Sequence, residues 1–320
     1  MHSIKRAFWP VVGFLAIGFS LYGLYFELRD MSFHAFMDSL RAVSAKGWIL
    51  AILSTLLAYA ALAAYDHLAL AHLGRRISLG FITVCSFTTY ALSHTIGASV
   101  LSGAVVRYRA YQAKGLSPSE IGVLVAFCSF TFALGTLMLA AFVLLISPEL
   151  VERFADVIPT GLSRTTGVVI LAFLLLYLLG SVLRLPPLKT RWFQLHYPRP
   201  GIVLRQFVIA PIELIGAAGI IYFALPEAGN PGFLVILGVF LASFSAALLS
   251  HAPGGIGVLE LVFIAALPEI PAADVLAALV IFRLLYLLIP FFIALGVVIG
   301  YERSRYVAEQ NGISGGQTPP

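Results

Sequence analysis

Charge is what this chain has least of. Lys, Arg, Asp and Glu together make 11% of its 320 residues, where a soluble domain carries about 25%. Hydrophobic residues reach 60% and mean hydropathy is +0.97, so polar surface cannot cover a water-soluble body of this size. A soluble enzyme, a nucleic-acid binder and a disordered scaffold are excluded together. Cysteine is nearly absent: Cys85 and Cys128 are the only two, each inside an apolar run. That excludes a disulfide framework and a cysteine-based metal site. Zincin, P-loop and Rossmann signatures are missing, as is a G-x-S-x-G element, so no cofactor, metal or catalytic group is expected. The net charge of +5 does not point to nucleic acid, because the basic residues sit in short loops between long apolar runs. The pattern is that of a polytopic, all-α inner-membrane protein.

Six runs are long enough to cross a hydrocarbon core of about 30 Å: roughly 8–27, 48–72, 119–146, 165–184, 203–225 and 272–300. The first follows Lys5 and Arg6 and lacks a small-residue cleavage site, so it reads as a retained helix. Two further stretches, 79–106 and 233–267, are long and broken in the middle. Small and polar residues make the breaks, Ser93-His94-Thr95-Ile96-Gly97-Ala98-Ser99 and Ser250-His251-Ala252-Pro253-Gly254-Gly255-Ile256-Gly257. Charge bias decides how they thread. With both termini cytoplasmic and both broken stretches turning back, 14 of the 20 basic residues fall in cytoplasmic loops. Nine of the 15 acids then fall outside, among them Glu149, Glu152, Asp156, Glu227, Glu269 and Asp274. A full crossing by 79–106 would carry Arg107, Arg109 and Lys114 outward, against the positive-inside rule. Two re-entrant hairpins are expected, one entering from each side.

The broken stretches also resemble each other. Ser86–Gly97 aligned on Ser243–Gly254 gives six identities in twelve ungapped positions, Leu-Ser-His included. Each stretch lies between two spanning helices, and the two triplets run in opposite directions across the membrane, as in an inverted-topology repeat with substrate sites at the broken helices. The expected organisation is one membrane domain over 1–306, with halves about 48–146 and 203–300. The Gly/Pro-rich segment 307–320 is expected to be a disordered cytoplasmic tail, and 31–46 an outer amphipathic piece.

Backbone freed by a helix break must find partners, since an orphan group in hydrocarbon costs several kcal/mol. Ser93, His94, Ser250 and His251 either cap those ends or line a wet cavity that meets a polar headgroup. Ionisable residues within the apolar runs are more informative. Asp66 lies near Arg75 and Arg76 and reads as a snorkelling charge. Glu213 follows Pro211 and has no local partner. Arg283 lies about 11 residues into the last span, roughly 16 Å at about 1.5 Å per residue. Glu260 sits at comparable depth, so the two are expected to pair beside the cavity. After the first break, Arg107-Tyr108-Arg109-Ala110-Tyr111 interleaves guanidinium groups with rings, a pattern suited to phosphate at the membrane interface. Ordinary topology-setting charge explains the same residues.

Three motifs together resemble one family. They are Gly103…Arg107-Tyr108-Arg109…Tyr111…Gly115-Leu116, His251-Ala252-Pro253-Gly254-Gly255-Ile256-Gly257-Val258-Leu259-Glu260 and Arg283-Leu284-Leu285-Tyr286…Pro290. They look like the membrane domain of the multiple peptide resistance factor, a lysylphosphatidylglycerol synthase and flippase, and its stand-alone relatives. The resemblance covers about residues 5–305. It implies a bacterial cytoplasmic membrane protein that moves an anionic or aminoacylated phosphatidylglycerol between leaflets. Its substrate contacts would come from Ser93, His94, Arg107, Arg109, Ser250, His251, Glu260 and Arg283. The soluble aminoacyl-transferase domain that follows in the full-length factor is replaced here by a short tail, so lipid synthesis is not expected of this chain. Membrane phospholipid is the expected partner, with a second copy of the chain and a separate aminoacyl-lipid synthase as further ones. A secondary transporter of a small solute and an intramembrane lipid-modifying enzyme are the alternatives.

Overall fold

The computed structural model describes residues 33–96, 99–148, 150, 153, 163–183, 188–189, 194–195, 197–250 and 255–314. The run at 8–27, Gly97, His251 and the acids Glu149, Glu152 and Asp156 lie outside these residues. The helices are α1 (Phe33–Ala42), α2 (Ala45–His72), α3 (Leu79–Ile96), α4 (Ser99–Gln112), α5 (Pro118–Ile146) and α6 (Ser163–Val182). They continue with α7 (Pro200–Ala224), α8 (Phe233–Ser250), α9 (Val258–Ala266), α10 (Ala272–Phe282), a π-helical turn (Arg283–Leu288) and α11 (Ile289–Ser314). The all-α class holds, with one two-residue antiparallel ladder, β1 (Leu188–Lys189) on β2 (Gln194–Leu195), between α6 and α7.

By length and composition six described segments can cross a membrane: α2, α5, α6, α7, α8 and the continuous Ala272–Tyr301. Five coincide with expected spans; the other is the first arm of the second broken stretch. The last helix, α11, runs to Ser314. Its polar stretch Val307-Ala308-Glu309-Gln310-Asn311 precedes any Gly or Pro, and Ala, Glu and Gln are good helix formers.

Local chemistry sets the helix starts. Ser44 caps α2 by accepting the Gly47 N–H at 3.0 Å. Ser117 and Glu120 form a capping box around Pro118 at the start of α5: Ser117 Oγ accepts the Glu120 N–H at 3.3 Å and Glu120 Oε2 accepts the Ser117 N–H at 2.8 Å. Glu260 likewise accepts the Gly257 N–H at 2.8 Å and so starts α9; Gly257 holds φ +81°, a left-handed conformation that favours glycine.

The bundle is organised around α2 and α7, which pack antiparallel along their lengths. A Cβ on Gly216 would lie 2.8 Å from Ser54 O, and one on Gly47 2.6 Å from Phe223 O. Tyr65 donates to Ala210 O at 2.6 Å. α5 closes on the other flank of α7, where a Cβ on Gly135 would sit 2.3 Å from Ala210 O. Between apolar helices without a hydrophobic driving force, small residues let backbones approach closely enough for dispersion to hold them. α6 packs on the outside, with Val168, Val169, Phe173, Leu175 and Leu176 exposed. A soluble protein would bury such a face; a lipid-facing one need not.

Two opposite faces follow from the contacts. On face I, Arg75 after α2 pairs with Glu120 of α5 at 2.8 Å. There Phe81 in the first turn of α3 meets Tyr111 near the end of α4, ring centroids 5.9 Å apart. On face II, Tyr222 of α7 meets Phe233 of α8 at 5.4 Å, and Arg153 after α5 donates to Ala266 O at the end of α9 at 2.7 Å. The start of α3 therefore lies beside the end of α4, the start of α8 beside the end of α7, and the end of α9 beside the segment that follows α5.

Candidate functional site

The two broken pairs reach the same place in the last span. Pro290 has no N–H and cannot donate to the carbonyl four residues back, which is that of Tyr286. The chain there widens into a π turn, in which Ile289 N–H bonds Leu284 O, and the Tyr286 carbonyl accepts the Tyr59 hydroxyl of α2 at 3.0 Å. Single π turns inside α-helices recur at functional sites. From this turn Arg283 reaches α9: its Nε donates to Glu260 Oε1 at 2.8 Å and its Nη2 lies 2.6 Å from the same oxygen. One turn on, the Tyr286 ring stacks on His94 of α3 at 5.3 Å, while its hydroxyl donates to Glu213 of α7. Side chains from beside the breaks in both pairs thus touch one six-residue π turn.

A second ionic cluster lies nearer face I. Arg107 of α4 binds Asp66 of α2 through two nitrogens, Nη2 to Oδ1 at 2.6 Å and Nε to Oδ2 at 3.3 Å. Tyr111 donates to Asp66 Oδ2 at 2.9 Å and the Cys128 thiol to Oδ1 at 3.3 Å. The other side of the Arg107 guanidinium lies over the Tyr90 ring at 4.7 Å, and Tyr90 packs on His94 at 5.6 Å. A continuous line of contacts therefore runs Asp66, Arg107, Tyr90, His94, Tyr286, Glu213. Asp66 is 0% and Arg107 5% exposed, so this pair is enclosed within the bundle. The side chains of Arg283 and Glu260 keep 17% and 12% of their surface.

Measured against the sequence, Glu260 and Arg283 meet as depth counting predicts. Asp66 does not snorkel: the reading is corrected, because Arg107 comes back to it from the return arm of the first hairpin. Arg107 for the same reason is interior, whereas Arg109 is exposed. Ser93 donates to Thr89 O at 2.7 Å and Ser250 to Ala247 O at 2.9 Å, so both hydroxyls bond carbonyls of their own helices. His94 brings its ring to the π turn, and its Nδ1 is buried without a partner among the described residues; His251 lies outside the described residues. Sequence reasoning missed Tyr59 and Tyr286. Pro290 was the available signal, since an interior proline always frees a carbonyl that something must satisfy.

Outside the spans, Arg153 hydrogen-bonds the Glu269 carboxylate at 3.0 Å and holds it below the usual carboxylate range. Also on face II, a cavity of about 700 Å³ opens among α1, α2, α7 and α10, lined by Lys46, Glu227, Asp274, Ser44, Asn230 and Tyr222 among others. It does not include the π turn.

Residues 13–294 match the family described as the lysylphosphatidylglycerol synthase TM region. The chain belongs to this family. Within reach of it, the protein slr0712 of Synechocystis sp. is 31% identical over 236 residues, 73% of each chain. Inner membrane protein YbhN of Escherichia coli is 30% identical over 234 residues, 72% of each chain. A phosphatidylglycerol lysyltransferase of Staphylococcus aureus is 23% identical over 275 residues, which are 85% of this chain and 31% of that enzyme. Six span-length helices and bacterial relatives, one of them an inner membrane protein, make this a multi-pass protein of the bacterial inner membrane.

Proposed function

We propose that the chain is a phospholipid translocase that carries an anionic or aminoacylated phosphatidylglycerol headgroup between leaflets. The observation that carries this reading is the meeting of His94 of α3 and Glu260 of α9 at the π turn, with its partly accessible Arg283–Glu260 pair. α9 has nine residues, about 13 Å at about 1.5 Å per residue. It can traverse no more than half of a core of about 30 Å, so the break ahead of it falls near mid-membrane. A charged pair at that depth is costly and marks a polar path. Arg283 would take the lipid phosphate, while Glu260 neutralises Arg283 in the lipid-free state and would meet a lysyl ammonium when the headgroup carries one. The cavity on face II, with Lys46, Glu227 and Asp274 in its lining, suits the same two-signed headgroup as an entry or exit. The acyl chains would stay outside, against the exposed apolar surface.

The α2–α5 and α7–α10 segments have the same order of helix, broken pair, helix, which supports the inverted repeat. The test is a leaflet-resolved assay in proteoliposomes with acyl-labelled phosphatidylglycerol and a membrane-impermeant quencher. Wild-type protein should equilibrate the label across the bilayer well above protein-free liposomes, and Arg283→Ala should lose most of that rate. Equal rates for wild type and empty liposomes would overturn the translocase reading.

A further inference from the structure

Glu213 is a buried acid of a different kind from the other two. Asp66 and Glu260 each have an arginine; Glu213, at 1% exposure, has no ion pair among the described residues. One carboxyl oxygen accepts the Tyr286 hydroxyl, and the other, Oε2, is buried with no partner among the described residues. The facing ionisable groups do not supply a positive charge. They are Tyr59 and Tyr65 of α2 and Tyr286 of the π turn; Arg283, one turn back, is held on Glu260, and Cys128 of α5 donates to Asp66. α6 brings Tyr177, which donates to Gln206, α8 has no ionisable side chain, and Asp274 of α10 lies in its first turn. A lone carboxylate in such a place is among the costliest groups a membrane protein can hold, and a proton removes the charge.

We propose that Glu213 is a proton-binding site that couples movement of the headgroup to the transmembrane proton gradient. The inference deepens the translocase reading and rests on it for the coupling, though not for the site. A proton arriving from water on one face forms an O–H bond at Oε2, and the carboxylate becomes a neutral acid. The same bond breaks when the proton leaves to water on the other face, and the carboxylate is restored. The change is felt where transport happens. Tyr286 donates to the other oxygen of Glu213, stacks on His94 of the first pair, and sits one turn from Arg283, which holds Glu260 of the second. Protonation weakens the acceptor of the Tyr286 hydroxyl and so loosens the ring on which His94 of α3 stacks, beside the turn that α9 is tied to.

Two measurements on the full chain test this separately. The first is the infrared difference spectrum of protein in phosphatidylethanolamine–phosphatidylglycerol vesicles between acid and alkaline pH. It should contain the carbonyl stretch of a protonated carboxylic acid, which Glu213→Gln lacks and which shifts in frequency in Tyr286→Phe. No such band, or a band untouched by either variant, overturns the site. The second uses the same vesicles with acyl-labelled phosphatidylglycerol and a difference of one pH unit across the membrane. One proton per lipid sustains a leaflet asymmetry of roughly tenfold at that difference. Wild type should approach this value, and Glu213→Gln should give the even distribution found at equal pH. A variant that keeps the asymmetry overturns the coupling. If neither protein moves the lipid, the translocase reading fails, and the infrared band alone decides the proton site.

Discussion

Breaking the two buried ion pairs should have different consequences, and the geometry says which. Asp66 is fully enclosed, with Arg107, Tyr111 and Cys128 on its two oxygens. Asp66→Ala leaves the Arg107 guanidinium buried with only the Tyr90 ring for company, and such orphaned charges typically cost about 3–5 kcal/mol. At about 2–4 °C per kcal/mol for a chain of this order of size, the melting temperature should fall by roughly 6–20 °C. Arg107→Met with Asp66→Leu removes both charges, keeps apolar volume, and should recover most of that loss. Arg283→Ala is milder for the fold. Glu260 keeps the Gly257 N–H and some access to water, so the loss should be nearer the about 1–3 kcal/mol of a broken charged hydrogen bond. Lipid movement should nevertheless stop in Arg283→Ala and in Arg283→Met with Glu260→Gln, while the Asp66–Arg107 double variant retains it. Melting by fluorescence-detected size exclusion and the liposome assay read the two quantities independently. Equal melting losses for Asp66→Ala and Arg283→Ala, or normal transport in the Arg283–Glu260 double variant, would refute the division into a structural and a working pair.

Pro290→Ala restores the N–H that closes an ordinary turn on Tyr286 O, displacing the Tyr59 hydroxyl; stability should change by less than about 1 kcal/mol while lipid movement falls severalfold. A cysteine at Ala113 on face I should label only after the cells are permeabilised, and one at Ala228 on face II should label in intact cells; the reverse pattern would invert the orientation read from the basic loops. The Arg153–Glu269 pair stabilises the charged carboxylate, so its contribution is present above the ordinary glutamate value of 4.5 and is lost as pH falls through the lower folded value. Both side chains are about one-third exposed, so the loss should stay under about 1 kcal/mol, measured as an acid-side melting shift that Arg153→Ala removes.

Much of this architecture was legible because the bilayer is a ruler. Apolar run length gave the spans, and counting residues from a span's end put Glu260 and Arg283 at one depth. The same count applied to Asp66, six residues before the end of α2, and Arg107, five before the end of α4, would have paired them too. Arg75 and Arg76 lie nearer to Asp66 in sequence, and sequence proximity is a poor guide when a chain returns its far end to its own start. Of the Ser-His pairs, His94 lies at the π turn by its ring, while Ser93 and Ser250 bond their own helices. Hydroxyls in a broken helix first satisfy their own backbone, and the ring of His94 carries the contact to the π turn. Tyr59 and Glu213 come from helices distant in sequence, and nothing local marks their meeting.

The central claim is that a lipid headgroup reaches the π turn in the middle of the membrane. A photo-crosslinking residue in place of Leu284, which is 37% exposed beside Arg283, tests it in cells, with Val169 on the lipid face of α6 as the comparison. Mass spectrometry of the adducts locates the crosslink on the lipid. The account predicts headgroup or glycerol adducts at residue 284 and acyl-chain adducts at residue 169. Acyl-chain adducts alone at both positions would contradict it.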